Sequence, residues 1–321
     1  MARGADGAGA MSDETRGAGP RRWSEHTVRD DEVGRTVQEI LTGTMGISRR
    51  MIQRLTRGKG ILVNRRPGFL ARPVKAGDVV AARLAQEEDP GLEPVAMELD
   101  VVHEDRDVLV LDKPPHLLVH PTSPEHVRTL SHGIAHHFMA RGVVAKVRPV
   151  HRIDRDTSGL LLVAKSGFAH QHLDRQLRER GLRREYLAFV HGVIADDEGT
   201  IDAPIGKHRL NPSLRAVRPG GEEARTRYRV RERYADATLA DVELETGRTH
   251  QIRVHMAHLG HPVFGDRSYG APRADPVRRQ ALHASRLSFV HPSTGEALTF
   301  EAPLPDDLVE LQARLRATVP G

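Results

Sequence analysis

The chain has no cysteine among its 321 residues, so disulfides, thiolate catalysis and cysteine-based zinc sites are excluded together. Cytoplasm is the simplest compartment for such a chain. No apolar run approaches the roughly 20 residues of a transmembrane helix, and the mean hydropathy of −0.46 excludes a membrane protein. Residues 1–25 are dominated by Gly, Ala, Arg and Asp without an apolar core. They are no secretory signal and are expected to be a disordered tail, within which Met11 is a second candidate start. No internal repeat is visible. No glycine-rich loop has Walker or dinucleotide spacing, so no nucleotide cofactor is expected. Thr157-Ser158-Gly159 is not the Gly-x-Ser-x-Gly of a serine hydrolase. His250, His255, His258 and His261 lack the i, i+4 spacing of a helical zinc pair and have no carboxylate among them, so no metal is expected either.

What the chain does have is arginine. The net charge is +5, and residues 26–84 hold twelve Lys/Arg against five Asp/Glu, a net of +7. A positive field gathered at one end suits a small module that holds a polyanion. Within it, Val33, Val37, Ile40 and Leu41 have helical spacing, and Gly43 and Gly46 end that helix. Ser48 is a candidate N-cap for a second helix through Arg57. Met51, Ile52 and Leu55 lie on one side of it, and Arg50, Arg54 and Arg57 form a basic stripe on the other. Arg49 and Lys59 flank the stripe. A strand is expected at 61–64, a turn at 65–68 and a second strand at 79–81. Residues 86–97 are polar and turn-rich and are placed as a linker.

Beyond the linker, 108–111 is expected as a buried strand, and Val127, Leu130, Ile134 and Phe138 mark a helix. Phe168, Leu173 and Leu177 pattern another. Strands are expected from Tyr186, over 226–233 and over 239–244. A hairpin turns at Pro292-Ser293-Thr294-Gly295, and a short helix closes the chain over 307–317. Residues 206–221 form a basic loop, either an RNA contact or a surface connection. Strands outnumber helices and hairpins are frequent, so the fold expected is α+β, with a mixed, mostly antiparallel sheet flanked by helices and loops.

The densest chemistry lies in His151-Arg152-Ile153-Asp154-Arg155-Asp156-Thr157-Ser158-Gly159, which runs directly into the apolar Leu160-Leu161-Leu162-Val163. A charged loop feeding a buried strand suits a site held at a strand mouth. Two carboxylates invite a glycosidase-like acid/base reading. In a turn, however, Asp156 is expected to accept hydrogen bonds from Thr157 and Ser158, which leaves Asp154 with the chemical role. A neighbouring guanidinium would keep it ionised; the alternative is half of a surface ion pair.

The same stretch resembles the signature of the RluA-type pseudouridine synthases, and further motifs follow in order. Lys113-Pro114-Pro115-His116-Leu117-Leu118-Val119-His120-Pro121 resembles the first, and Glu185-Tyr186-Leu187-Ala188-Phe189-Val190-His191-Gly192 the tyrosine motif. Thr246-Gly247-Arg248-Thr249-His250-Gln251-Ile252-Arg253-Val254-His255 resembles the third, followed by Gly260-His261-Pro262-Val263-Phe264-Gly265-Asp266. The family usually has glycine where this chain has His116; glycine would suit a positive φ there, which histidine tolerates less readily. The resemblance covers roughly 98–317 as a catalytic domain with the pseudouridine synthase fold, and 26–85 resembles the S4 RNA-binding module.

The resemblance implies isomerisation of uridine in RNA to pseudouridine, without cofactor, with Asp154 as nucleophile at C1′ or C6 and Arg253 paired to it. It implies Tyr186 as a face for the uracil ring and an aid in removing the C5 proton, and Arg152 filling the space of a flipped-out nucleotide. Arg248 would support the loop or a phosphate, and Leu160 and Ile252 would wall the pocket. Arg49, Arg50, Arg54, Arg57 and Lys59 would meet RNA phosphates. Ribosomal RNA is the partner expected, with tRNA as the alternative, and the protein is expected to act as a monomer. Two other classes compete: a non-catalytic RNA-binding or ribosome-assembly protein, and an N-glycosidic hydrolase in which water traps the sugar.

Overall fold

The computed structural model describes residues 22–47, 49–84, 92–123, 125–143 and 145–318. They form two compact units, divided between Gln86 and Glu87.

In the first unit, strands β1 (Arg22–Thr27), β2 (Ile61–Val63), β3 (Arg66–Pro67) and β4 (Val79–Leu84) make an antiparallel sheet ordered β1-β4-β2-β3. β1 begins at Arg22, so four residues assigned to the tail belong to the sheet; the rest of the tail lies outside the described residues. Helix α1 (Val37–Glu39) is capped by Thr36 in a capping box with Glu39 and closes in a π turn over Ile40–Thr44. It therefore starts later than the apolar spacing from Val33 suggests, and Val33 is exposed. Helix α2 (Arg49–Arg57) buries Ile52 and Leu55; the expected cap Ser48 lies outside the described residues. The hairpin turns at Asn64 and Arg65, with φ of 51° and 63°, not at residues 65–68. A two-residue turn with both φ positive matches the strand twist. The Asn64 side chain secures it by donating to Asp78 Oδ1 (2.6 Å) and accepting from Val79 N (2.8 Å).

The second unit is built on a ten-stranded sheet. Its strands are β5 (Asp100–Glu104), β6 (Val108–Lys113), β7 (Arg148–Pro149), β8 (Ser158–Ala164), β9 (Arg183–His191), β10 (Glu198–Asp202), β13 (Arg225–Arg233), β14 (Ala237–Leu244), β15 (Leu282–Val290) and β16 (Ala297–Glu301). Between β10 and β13, residues expected as an irregular loop form a separate hairpin, β11 (Ile205–Lys207) and β12 (Arg215–Val217). The main path runs β10-β13-β14-β9-β15-β8-β6-β5, and β8 with β15 is its parallel pair; the others are antiparallel. The sheet is thus mixed and mostly antiparallel, as the sequence led us to expect.

Helices α3 (Leu130–Ala140), α5 (Gln251–His258) and α6 (Asp306–Ala317) pack into a core with Leu109, Leu111, Leu161 and Val163. Helix α4 (Gly167–Arg178) packs with Val108, Val110, Leu160 and Leu162 in another cluster. Alternate residues of β6 and β8 serve the two clusters, which is why β8 reads as an unbroken apolar run. The end of the expected linker is not a free tether: Leu92 packs on the large core, and Val95 N donates to His132 O (3.1 Å).

Candidate active site

Arg253 sits on α5, a helix that opens at His250 in the left-handed conformation (φ 59°). The buried Gln251 ties this opening down. Its Oε1 accepts from Thr246 Oγ1 (2.7 Å) and Arg248 N (2.9 Å), while its Nε2 donates to Arg225 O and Thr226 Oγ1. The Arg253 guanidinium forks onto Asp266, Nε to Oδ2 at 2.6 Å and Nη2 to Oδ1 at 2.8 Å, and its Nη1 donates to Asp154 Oδ2 at 3.0 Å. Its face lies 4.9 Å from the centre of the Tyr269 ring. Burial works against the charge, but Asp266 and Asp154 outweigh it and raise the guanidinium pKa, so it stays protonated. Asp266 is carried by a turn that requires glycine at 265, where φ is 72° and a Cβ would collide with the Arg279 carbonyl.

The Asp154 loop is held from beneath. Thr157 N donates to Asp154 O at 3.2 Å, and the buried Lys113 Nζ donates to Pro114 O, Leu117 O and Arg155 O at 2.7, 3.0 and 3.0 Å. Three carbonyls match the three N–H bonds of an ammonium. Gly159 has φ of 108°, and a Cβ there would overlap the Ala284 backbone, so only glycine lets β8 reach β15. His116 adopts φ of 64°, the conformation for which glycine was expected. Its Nδ1 contact to Asp156 Oδ1 (2.8 Å) and the Leu117 N to Arg155 O bond (3.1 Å) secure that turn.

Asp154, Arg152, Ile153, Thr157, Tyr186, Leu244, Arg248, His250, Ile252, Arg253 and Leu282 line one cleft of about 40 Å³. Asp154 is partly accessible, with 18% of its side chain exposed against 9% for Arg253 and 1% for Asp266. Arg152 is exposed at the rim. Arg248 Nη1 pairs with Glu222 Oε2 at 2.6 Å, and its Nε donates to Glu223 O. Burial pushes the Tyr186 phenol up, with Arg184 pulling it back and Asp154 adding to the rise. Burial also pushes His250 down, and its Nδ1 meets Tyr269 Oη at 2.8 Å.

Residues 107–258 match the RNA pseudouridylate synthase family. RNA pseudouridine synthase YlyB of Bacillus subtilis is 41% identical over 294 residues, 90% of this chain and 97% of that one. Ribosomal large subunit pseudouridine synthase D of Vibrio cholerae is 39% identical over 308 residues, 90% and 94% of the two chains. The chain belongs to the RluA-type RNA pseudouridine synthases. The human structure RNA pseudouridylate synthase domain containing 1 superposes on it with a TM-score of 0.53 at 28% identity, covering 72% of this synthase and all of that chain.

Of the sequence-derived residues, the synthase brings Asp154, Tyr186, Arg253, Arg152, Arg248 and Ile252 to one cleft. Leu160 is not there. It is 1% exposed and points into the α4 cluster, while Leu244 and Leu282 supply apolar wall instead. Asp156 also departs from expectation: its carboxylate contacts His116 and Arg155 (3.2 Å), not the hydroxyls of Thr157 and Ser158. Arg49, Arg54, Arg57 and Lys59 are exposed on and just after α2; the Arg50 side chain lies outside the described residues. The four histidines read against a metal site are scattered, with His255 spent on Thr226 and Ala203 O and His261 on His191 O. Sequence reasoning missed Asp266, Gln251, His250 and Tyr269. Asp266 lies within a quoted motif, and a carboxylate 13 residues after the key arginine was its available signal.

Proposed function

We propose that the synthase converts a uridine of ribosomal RNA to pseudouridine, with Asp154 as nucleophile on a nucleotide flipped out of the RNA. The observation that carries this reading is the Arg253 fork. One buried guanidinium, fixed at two points by Asp266, presents its remaining nitrogen to a carboxylate that still reaches the cleft. A carboxylate oriented in this way can attack carbon. The C1′–N1 bond breaks, the uracil turns, C1′ bonds to C5, the C5 proton leaves to water and N1 gains one. No redox partner enters. Tyr186, its phenol pushed up by burial, is neutral and serves as a stacking face, so proton removal from C5 is not assigned to it. The exposed Arg152 stands at the rim of this cleft. Flipping costs a few kcal/mol, which Arg152 offsets by occupying the vacated stack. The ribosomal substrate is inferred from relatives named for the large ribosomal subunit. The first unit, with its exposed Arg49, Arg54, Arg57 and Lys59, is read as an S4-like phosphate-binding module, in a protein acting as a cytoplasmic monomer.

The test is tritium release from RNA labelled at uridine C5. Wild type should release tritium, and Asp154→Asn should release none while keeping RNA affinity within a few-fold. Activity retained by Asp154→Asn would remove the nucleophile, and release of free uracil would favour the hydrolase reading.

A further inference from the structure

We propose that Arg279 is a positioning residue for Asp154, and that the closing helix α6 holds it in place through Asp307. This rests on the nucleophile reading above. Arg279 is 3% exposed and stands just ahead of β15. Its Nε and Nη2 fork onto Asp307 Oδ2 and Oδ1 at 2.7 and 2.8 Å. The remaining nitrogen, Nη1, donates to Asp156 O at 3.2 Å and to Gln280 O at 3.2 Å. Next along the chain, Gln280 Nε2 donates to Thr157 Oγ1 at 3.2 Å.

Successive carbonyls of the loop are therefore each capped by a buried basic side chain, Arg155 O by Lys113 and Asp156 O by Arg279. Just before them Asp154 O accepts from Thr157 N at 3.2 Å, so the turn that carries Asp154 is held at three successive carbonyls. Each residue has two soft backbone dihedrals, so holding these carbonyls limits how far the turn from Asp154 to Thr157 can re-orient and carry the carboxylate with it. The arrangement repeats that of Arg253: a fork on one carboxylate aims the third nitrogen at the catalytic loop. Here, though, the carboxylate comes from the first turn of α6, where its charge suits the helix N-terminus. Asp307 is 44% exposed, against 18% for Asp154. It reaches the reacting centre only through Arg279.

The experiment compares Asp307→Asn, Asp307→Glu and wild type in the full chain, by tritium release under saturating and limiting RNA, with thermal unfolding in parallel. The expected result is a kcat reduced about fivefold or more in Asp307→Asn, with KM within twofold, and recovery of most of that loss in Asp307→Glu, which restores a two-oxygen acceptor. Measuring each rate well below its own unfolding midpoint separates positioning from loss of folded protein. A kcat within twofold of wild type in Asp307→Asn overturns the proposal, as does an equal loss in Asp307→Glu. Activity retained by Asp154→Asn in the same assay would instead overturn the nucleophile reading, so the two failures are distinct.

Discussion

Replacing Arg253 by lysine separates charge from geometry in the Arg253–Asp154 pair. Arginine uses Nε and Nη2 on Asp266 and Nη1 on Asp154; an ammonium has a single nitrogen and cannot keep a fork on one carboxylate while reaching the other. At least one charge-assisted bond is lost, worth about 1.5–3 kcal/mol. If that loss falls on the orientation of Asp154, at about 1.4 kcal/mol per factor of ten, kcat should drop roughly 10- to 100-fold. Part of the cost also falls on the buried Asp266, about 1–3 kcal/mol, so the unfolding midpoint should drop by several degrees. The assay is single-turnover tritium release with enzyme in excess, well below that midpoint, with RNA affinity measured alongside. Affinity should hold within a few-fold, since Arg253 is buried and meets its partners inside the protein. A rate within twofold of wild type would refute the argument that the fork aims Asp154.

Three other outcomes are expected. Gly159→Ala should destabilise the catalytic unit by several kcal/mol or abolish folding, because it adds a Cβ inside the Ala284 backbone at a φ of 108°; near-wild-type unfolding would mean that β8 and β15 can part cheaply. In the first unit, burial would raise the Glu32 pKa, yet hydrogen bonds from Arg29 N, Thr44 and His26 outweigh it and hold the carboxyl down to about 2. A depressed carboxyl contributes stability above its unfolded value of 4.5 and loses it as pH falls toward 2, so amide protection factors in this unit, corrected for the intrinsic pH dependence of exchange, should fall over that window in wild type and show little such dependence in Glu32→Gln. Substituting Arg54 and Arg57 with alanine should weaken RNA binding and reduce its logarithmic salt slope by about 0.9 for each phosphate no longer neutralised; an unchanged slope would remove α2 from the RNA interface.

The parts legible in the sequence were those in which one kind of residue has one use. The catalytic cluster was visible because charged residues abut an apolar run, and β8 was visible because both of its faces are buried. That same double burial hid which face Leu160 serves, since alternation carries no signal when every position is apolar. β1 and β5 escaped notice because each lies at a sheet edge and is largely polar or exposed. Asp156 was misassigned for a different reason: turn chemistry named its neighbours, whereas His116, 40 residues away, won the contact. Asp266 and Tyr269 gain meaning only when the fold brings them beneath Arg253.

The parallel contact between β8 and β15 has a consequence for the order of assembly. Ser158 and His283 are 125 residues apart in the chain, and their side chains meet at 3.0 Å. At a translation rate of about 5–20 residues per second, roughly 6–25 s separate the emergence of the Asp154 loop from that of the strand beside it. During that interval the nascent chain carries Asp154 without the neighbour that shapes its strand. Chains that stall or are cut before Leu282 therefore lack the strand on which Gly159 packs, and the Asp154 loop gains that support only once β15 has emerged to pair with β8.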